Sequence, residues 1–227
     1  MSPLILVPAY NAIDWRLHDA IGRSGIPMLA VYGCSDLVKV RSQMLSDALR
    51  SSADRFIFID SDIIPSPEQI WQLVESEKLN AESAVSGCYA GRDGALAAQL
   101  ESQEPFTLSG GARFVECFAA GMGFSAVHRD TVELIRNELP ELTTGQGVEW
   151  RAYFLPLVIA DRMNADAISY LSEDWAFWWR VRNLGKAAFW IDTNLCVGHL
   201  HTAPRALHPD TVILPHNRDR GAFSAPQ

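Results

Sequence analysis

Residues 56–62 read Phe-Ile-Phe-Ile-Asp-Ser-Asp, an apolar run that opens directly onto two carboxylates one position apart. Side chains at i and i+2 of a strand point the same way, so Asp60 and Asp62 would converge where the strand leaves the core. Two ionised carboxylates that close repel each other, and burying either unpaired is costly. A divalent cation reverses that penalty, and a cation with only two protein ligands keeps positions open for a phosphorylated ligand. The competing reading is a solvated pair at the start of a loop. Three further groups carry chemical potential. Glu173 and Asp174 follow Ser172 at a helix start, where the helix dipole alone favours carboxylates by ~0.3–1 kcal/mol. Gly121-Met122-Gly123 is either a tight turn or a place where backbone approaches a ligand closely. Gly198-His199, with His201 two residues on, offers imidazole ligands.

The elements that position these groups follow from periodicity. Leu4–Val7, Met28–Tyr32 and Phe56–Ile59 are unbroken apolar strands. Between them, Ile13, Leu17, Ala20 and Ile21 take helical spacing and end at Gly25. Met44, Leu45, Ala48 and Leu49 mark a second helix. Ser66-Pro67-Glu68-Gln69 supplies a Ser cap, Pro at the first helical position and Gln three after the cap, with Ile70, Leu73 and Val74 as the buried stripe. This alternation implies a parallel sheet covered on both faces, in which ligands bind at the carboxyl ends of the strands. Asp60 and Asp62 stand at such an end. Further on, Ala84–Tyr89, Phe114–Phe118 and Phe124–Val127 read as strands and Thr131–Leu139 as a helix. Residues 140–170, with Trp150, Tyr153 and Phe154, read as a flap. Ser172 caps a helix with the stripe Phe177, Val181 and Leu184, stopped by Gly185, before short strands at Ala187–Ile191 and Leu195–Val197. The expected organisation is one domain over 1–203 and an extended tail over 204–227 carrying Pro204, Pro209, Pro215 and Pro226.

Bulk composition narrows the function classes. A chain of 227 residues with 48% hydrophobic content supports one full-sized core. A net charge of −8 argues against a nucleic-acid partner, which favours a basic face. No apolar run approaches the ~20 residues of a transmembrane helix. The opening segment, Met1 to Asn11, lacks the basic and long apolar regions of a signal peptide and reads as a core strand. Cys34, Cys88, Cys117 and Cys196 form no Cys-x-x-Cys, so neither a zinc cluster nor a disulfide framework is expected, and a reducing cytoplasm is.

Taken in order, Val7-Pro8-Ala9-Tyr10-Asn11, Asp60-Ser61-Asp62, Ala119-Ala120-Gly121-Met122-Gly123-Phe124, Ser172-Glu173-Asp174-Trp175 and Val197-Gly198-His199 resemble a glycosyltransferase of the GT-A fold, over residues 4–201. The resemblance implies an α/β domain with a mixed sheet flanked by helices, and transfer of a sugar from a nucleoside-diphosphate sugar to an acceptor hydroxyl. It implies Mn²⁺ or Mg²⁺ at a metal site of Asp60, Asp62 and His199, with Asp62 the direct ligand and Asp60 also near the ribose. His201 stays a rival to His199, since both face one way in an extended segment. Of Glu173 and Asp174, one is the general base in inverting members; Asp174 takes that role here and Glu173 neighbours it or touches the acceptor. In retaining members the same region binds sugar. Pro8, Ala9, Tyr10 and Ser61 fall at the donor site. Arg41 matches a basic residue near the nucleotide, or is an exposed helical arginine. Asp36 touches the base or caps its helix. Gly121, Met122, Gly123 and Trp175 fall on the acceptor side; Trp178 fits the buried stripe, and Trp179 and Trp190 are nearby.

The glycan, lipid-linked or protein nature of the acceptor is open. A cytoplasmic enzyme of bacterial or viral origin is the expectation, with peripheral membrane association as an alternative. Two other classes compete. A non-catalytic nucleotide-sugar-binding module would bind without turnover. A haloacid-dehalogenase-like phosphatase would use the first Asp as nucleophile, but Ile64 stands where such enzymes carry Thr or Val. A sugar-nucleotide pyrophosphorylase would need a Gly-rich N-terminal loop that is absent.

Overall fold

The structure, a computed structural model, describes residues 2–33, 35–79, 84–90, 96–100, 106–107, 113–143, 147, 149–160, 168–200 and 212–213. Its elements in chain order are β1 (Pro3–Ala9), α1 (Trp15–Ser24), β2 (Met28–Tyr32), α2 (Leu37–Ala48), β3 (Arg55–Ile59), β4 (Ile63–Ile64), α3 (Pro67–Leu79) and β5 (Ala84–Cys88). They continue with β6 (Ala98–Leu100), β7 (Phe106–Thr107), β8 (Phe114–Ala120), β9 (Phe124–His128), α4 (Arg129–Glu138), β10 (Glu141–Thr143) and β11 (Glu149–Arg151). The last are β12 (Leu157–Ala160), β13 (Ile168–Leu171), α5 (Glu173–Asn183), β14 (Phe189–Cys196), β15 (Gly198–His199) and β16 (Val212–Ile213).

The main sheet runs β2-β1-β3-β9-β5-β14-β8-β6. As the unbroken apolar strands imply, β1 pairs in parallel with both β2 and β3, and β5 with β14. The sheet is nevertheless mixed rather than parallel throughout, because β9 inserts antiparallel between β3 and β5. That insertion matters for the site: Phe124 pairs with Ile59, which brings the chain just before β9 against the end of β3.

Period-2 alternation buries both faces. Leu6, Phe56 and Phe58 enter one core with Met44 and Leu45 of α2, Val132 and Ile135 of α4, and Phe177 and Trp178 of α5. Ile5, Val7, Ile57 and Ile59 enter the other, against Leu17 and Ile21 of α1 and Ile70, Leu73 and Val74 of α3. The helix signals hold in detail. Gly25 ends α1 in the left-handed region at φ 71°. Ser66 and Gln69 form a reciprocal capping box: the Gln69 N–H donates to Ser66 Oγ (3.2 Å) and the Ser66 N–H to Gln69 Oε1 (2.8 Å).

Several expectations need correction. Ile13 precedes α1, because Asp14 caps it by accepting from the Arg16 N–H. Residues 140–170 hold, among the described residues, the two hairpins β10-β11 and β12-β13. Tyr153 and Phe154 are core there, not flap: Phe154 stacks on Phe177 (4.5 Å) and meets Phe58 edge-on (5.5 Å). Ser172 occupies the N-cap of α5 without a side-chain capping bond, and Leu184 lies just past the helix end. The two strands expected over Ala187–Ile191 and Leu195–Val197 are one strand, β14, irregular between Asp192 and Cys196. The tail over 204–227 lies outside the described residues apart from β16, which pairs with β7. No helix among the described residues is long and apolar enough to cross a membrane.

Candidate active site

Asp60 and Asp62 do not act as an i, i+2 strand pair. β3 ends at Ile59, and the chain turns immediately, the Ile63 N–H donating to the Asp60 carbonyl at 3.0 Å. Strand parity therefore stops one residue too early, and the two carboxylates take different partners.

Asp60 faces Arg41. This arginine sits in the middle of α2, on the face that packs against the sheet, and its side chain is only 2% exposed. Arg41 Nη2 donates to both Asp60 oxygens, at 2.7 and 2.9 Å. Its Nη1 donates to Asp174 Oδ1, and Glu173 Oε1 stands 3.7 Å from the same nitrogen. One buried guanidinium thus serves three carboxylates, and the exposed-arginine reading is excluded. Burial works against its charge, but Asp174 and Asp60 outweigh that and hold the proton more firmly than usual. Its Nε is buried with no hydrogen-bond partner.

The glycine turn completes a ring. Asp174 Oδ2 accepts from the Met122 N–H at 3.1 Å. The Asp60 N–H donates to the Gly123 carbonyl at 3.0 Å. Arg41, Asp60, the 122–123 backbone and Asp174 are therefore linked in a closed hydrogen-bonded circuit joining α2, β3, the turn before β9, and the start of α5. Gly121 and Gly123 are small because Tyr89 is there: its hydroxyl accepts from the Gly123 N–H at 2.9 Å, and a Cβ on Gly121 would land on that hydroxyl. Tyr89 is deeply buried, and burial followed by the nearby Asp60 and Asp174 charges raises its phenol well above the ordinary value.

Asp174 opens α5 with a side chain 20% exposed. Burial pushes its carboxyl up, Arg41 and the Met122 N–H pull it down, Asp60 and Glu173 push it up, and the result is about 6. That is close to the pH at which a carboxylate can both hold and release a proton.

Asp62 faces His199. β15 pairs with β4, His199 opposite Ile63, and the Leu200 N–H donates to the Asp62 carbonyl at 2.7 Å. His199 Nδ1 lies 2.8 Å from the Ala90 carbonyl, which can only accept, so Nδ1 carries the proton. In the neutral ring this leaves the Nε2 lone pair directed at Asp62 Oδ2, 3.2 Å away. Two acceptors in that relation call for a proton or a cation between them, and a carbonyl behind the imidazole is the usual way a protein orients a metal-ligating histidine. Tyr89 meets the His199 ring edge-on at 5.7 Å, joining this pair to the ring around Arg41. The donor set fits a divalent cation with two protein ligands. Among the described residues, no three His, Cys, Asp or Glu side chains gather as one metal group, and Asp60 is committed to Arg41. His201 lies outside the described residues.

The remaining sequence-derived positions spread around this centre. Pro8 and Ala9 are buried in β1, while Tyr10, just beyond it, is 62% exposed. The Gly33 N–H donates to the Ala9 and Tyr10 carbonyls, tying the ends of β1 and β2 together, and Tyr32 at the end of β2 is also exposed. Asp36 caps α2, accepting from the Lys39 N–H at 3.1 Å. The Ser61 carbonyl accepts from the Asp14 N–H at 3.4 Å. Trp175 packs edge-on against Phe118 at 6.4 Å, whereas Trp178 is core, stacked on Phe189 with its Nε1 donating to the Ala120 carbonyl. Sequence reasoning missed Tyr89 and Ala90. The rule that found Asp60, that ligands meet the carboxyl ends of strands, points to them too, since β5 ends at Cys88.

No protein-family model matches the sequence, and neither does any curated protein. Among solved structures the chain is similar to A197 from STIV, with a TM-score of 0.63 and 19% identity over 96% of this chain and 95% of that one. Glucosyl-3-phosphoglycerate synthase from Mycobacterium tuberculosis, in complex with Mg²⁺ and uridine diphosphate, gives a TM-score of 0.43 and 18% identity over 84% of this chain and 68% of that one. CMP:2-keto-3-deoxy-manno-octonic acid synthetase, complexed with CTP, gives 0.39 and 12% over 63% and 80%. The last two likenesses are too low to add to the first. The fold is thus α/β, one large mixed sheet flanked by helices, and is shared with A197 from STIV.

Proposed function

We propose that this chain is a glycosyltransferase that moves a sugar from a nucleoside-diphosphate sugar to an acceptor hydroxyl, with a divalent cation at Asp62 and His199. The observation that carries the reading is the joined site at the carboxyl ends of the strands. The Asp62–His199 pair lies beside the ring of Arg41, Asp60, Met122, Gly123 and Asp174, with Tyr89 between them. The GT-A pattern of the sequence supports it. Asp62 and His199 would hold Mn²⁺ or Mg²⁺, which when bound supplies Lewis-acid stabilisation for charge on a diphosphate.

Asp174 is the base in this reading. Its carboxylate takes the proton of the acceptor hydroxyl as that oxygen bonds to the anomeric carbon. The bond to the diphosphate oxygen breaks, and the electron pair leaves with the nucleoside diphosphate. The Met122 N–H and Arg41 hold the Asp174 carboxylate in place and limit the rise of its pKa. In this reading the exposed Tyr10 at the end of β1 would flank the nucleobase. The test is a panel of nucleotide sugars incubated with Mn²⁺, scored for slow donor hydrolysis. One donor should be hydrolysed by the wild-type chain, and Asp62→Ala should abolish this. Failure of every donor, or an unaffected Asp62→Ala, rejects the proposal.

A further inference from the structure

Beside the site lies a cavity of about 420 Å³, within the ~300–1,000 Å³ range of small-molecule sites. It is half-open, formed between β8, β12 and α5, and lined by Phe118, Ile159, Ala160, Trp179, Arg182 and Asn183. It adjoins the helix face next to the one that carries Asp174, whose own face continues through the buried Trp178 and Val181. Trp175, Trp179 and Arg182 stand at i, i+4 and i+7 of α5, and Trp175 follows Asp174 directly. At 1.5 Å rise per residue, Trp179 and Arg182 lie roughly 7 and 12 Å along the axis from Asp174. Phe118 bridges the two regions, lining the cavity and meeting Trp175 edge-on.

The lining chemistry selects the ligand. Aromatic faces from Phe118 and Trp179 suit the C–H faces of a sugar ring, and the Asn183 amide and Arg182 guanidinium suit its hydroxyls. Arg182 also has its charge met: its guanidinium lies 5.9 Å over the Phe118 ring and its Nη2 is 3.4 Å from Glu116. An anionic group entering here would have to displace Glu116. A neutral ring would not.

We propose that this cavity is the acceptor subsite and holds the ring of a neutral saccharide, presenting a hydroxyl towards Asp174. The proposal rests on the transferase reading for its role but not for the binding itself. The experiment is saturation-transfer NMR with methyl glucoside, methyl galactoside, methyl mannoside and glucuronate as probes, on the wild-type chain, Trp179→Ala and Trp179→Phe. At least one neutral glycoside should bind, Trp179→Ala should weaken it about fivefold or more, and Trp179→Phe should retain it. Three results overturn the proposal: no neutral glycoside binds, Trp179→Ala binds as wild type does, or glucuronate binds more tightly than every neutral probe. Nucleoside-diphosphate binding measured on the same samples separates the two claims. Its retention in Trp179→Ala, with saccharide binding lost, supports the subsite. Its absence from the wild-type chain rejects the transferase reading whatever the glycosides do.

Discussion

Replacing Arg41 by Met tests whether the site is built around one buried cation. The guanidinium is 2% exposed and meets Asp60, Asp174 and Glu173, whose side chains are 30%, 20% and 28% exposed. Met fills much of the arginine stem's volume, so the loss is chiefly electrostatic. Breaking a buried ion pair from one side costs about 3–5 kcal/mol. Water reaches all three carboxylates, which places the expected cost near the lower bound, about 3 kcal/mol. Against a total stability of roughly 5–15 kcal/mol this is large, and with a urea slope of about 2–3 kcal/mol/M it lowers the unfolding midpoint by about 1 M. A double-mutant cycle isolates the interaction. Asp174→Asn removes one of the orphaned carboxylates, so Arg41→Met should cost at least about 1 kcal/mol less in the Asp174→Asn background than alone. Equilibrium urea unfolding followed by tryptophan fluorescence reads both numbers. A cost below about 1 kcal/mol for Arg41→Met, or strict additivity with Asp174→Asn, would refute the claim that Arg41 is the electrostatic keystone.

Asp174 gives a pH signature: with its carboxyl raised from 3.8 to about 6, the fold favours the protonated form, so its contribution is complete below pH 3.8 and is lost as pH rises through 6. The difference amounts to about 3 kcal/mol, and Asp174→Asn should flatten the stability–pH curve in that window; an unchanged curve contradicts the assignment. The same variant should lose transfer while keeping nucleoside-diphosphate binding, and loss of binding would take Asp174 out of the role of base. Tyr89→Phe leaves the buried Gly123 N–H without its acceptor and should cost about 1–3 kcal/mol by urea unfolding, with a cost near zero showing that the turn finds another partner.

Much of this architecture was legible from local signals, because local chemistry decides it. Gly25 takes a left-handed conformation, the Ser66–Gln69 box satisfies its own donors, and the continuous apolar strands β1 and β3 are buried on both faces. What was not legible depends on long-range pairing. The antiparallel insertion of β9 between β3 and β5 leaves no mark on the strand's own sequence, since Phe124–His128 reads as a strand whichever neighbours it has. The candidate site divides the same way. Residue types flagged Asp60, Asp62, Asp174 and His199, but the turn at 60–63 sends the two aspartates to different partners. Arg41 looks like an ordinary helical arginine until α2 is laid against the sheet. Tyr89 and the Ala90 carbonyl hold the two halves together through contacts 34 and 109 residues apart in sequence, to Gly123 and His199.

The central claim is that Asp62 and His199 hold a cation that receives a nucleoside diphosphate. Thermal unfolding of the wild-type chain, Asp62→Ala and His199→Ala with uridine, guanosine and cytidine diphosphates, each with and without Mn²⁺, tests it directly. At least one diphosphate should raise the wild-type Tm by several degrees only when Mn²⁺ is present, with the increment lost in both variants. A metal-independent increment, one that survives in Asp62→Ala, or none with any diphosphate would contradict the account.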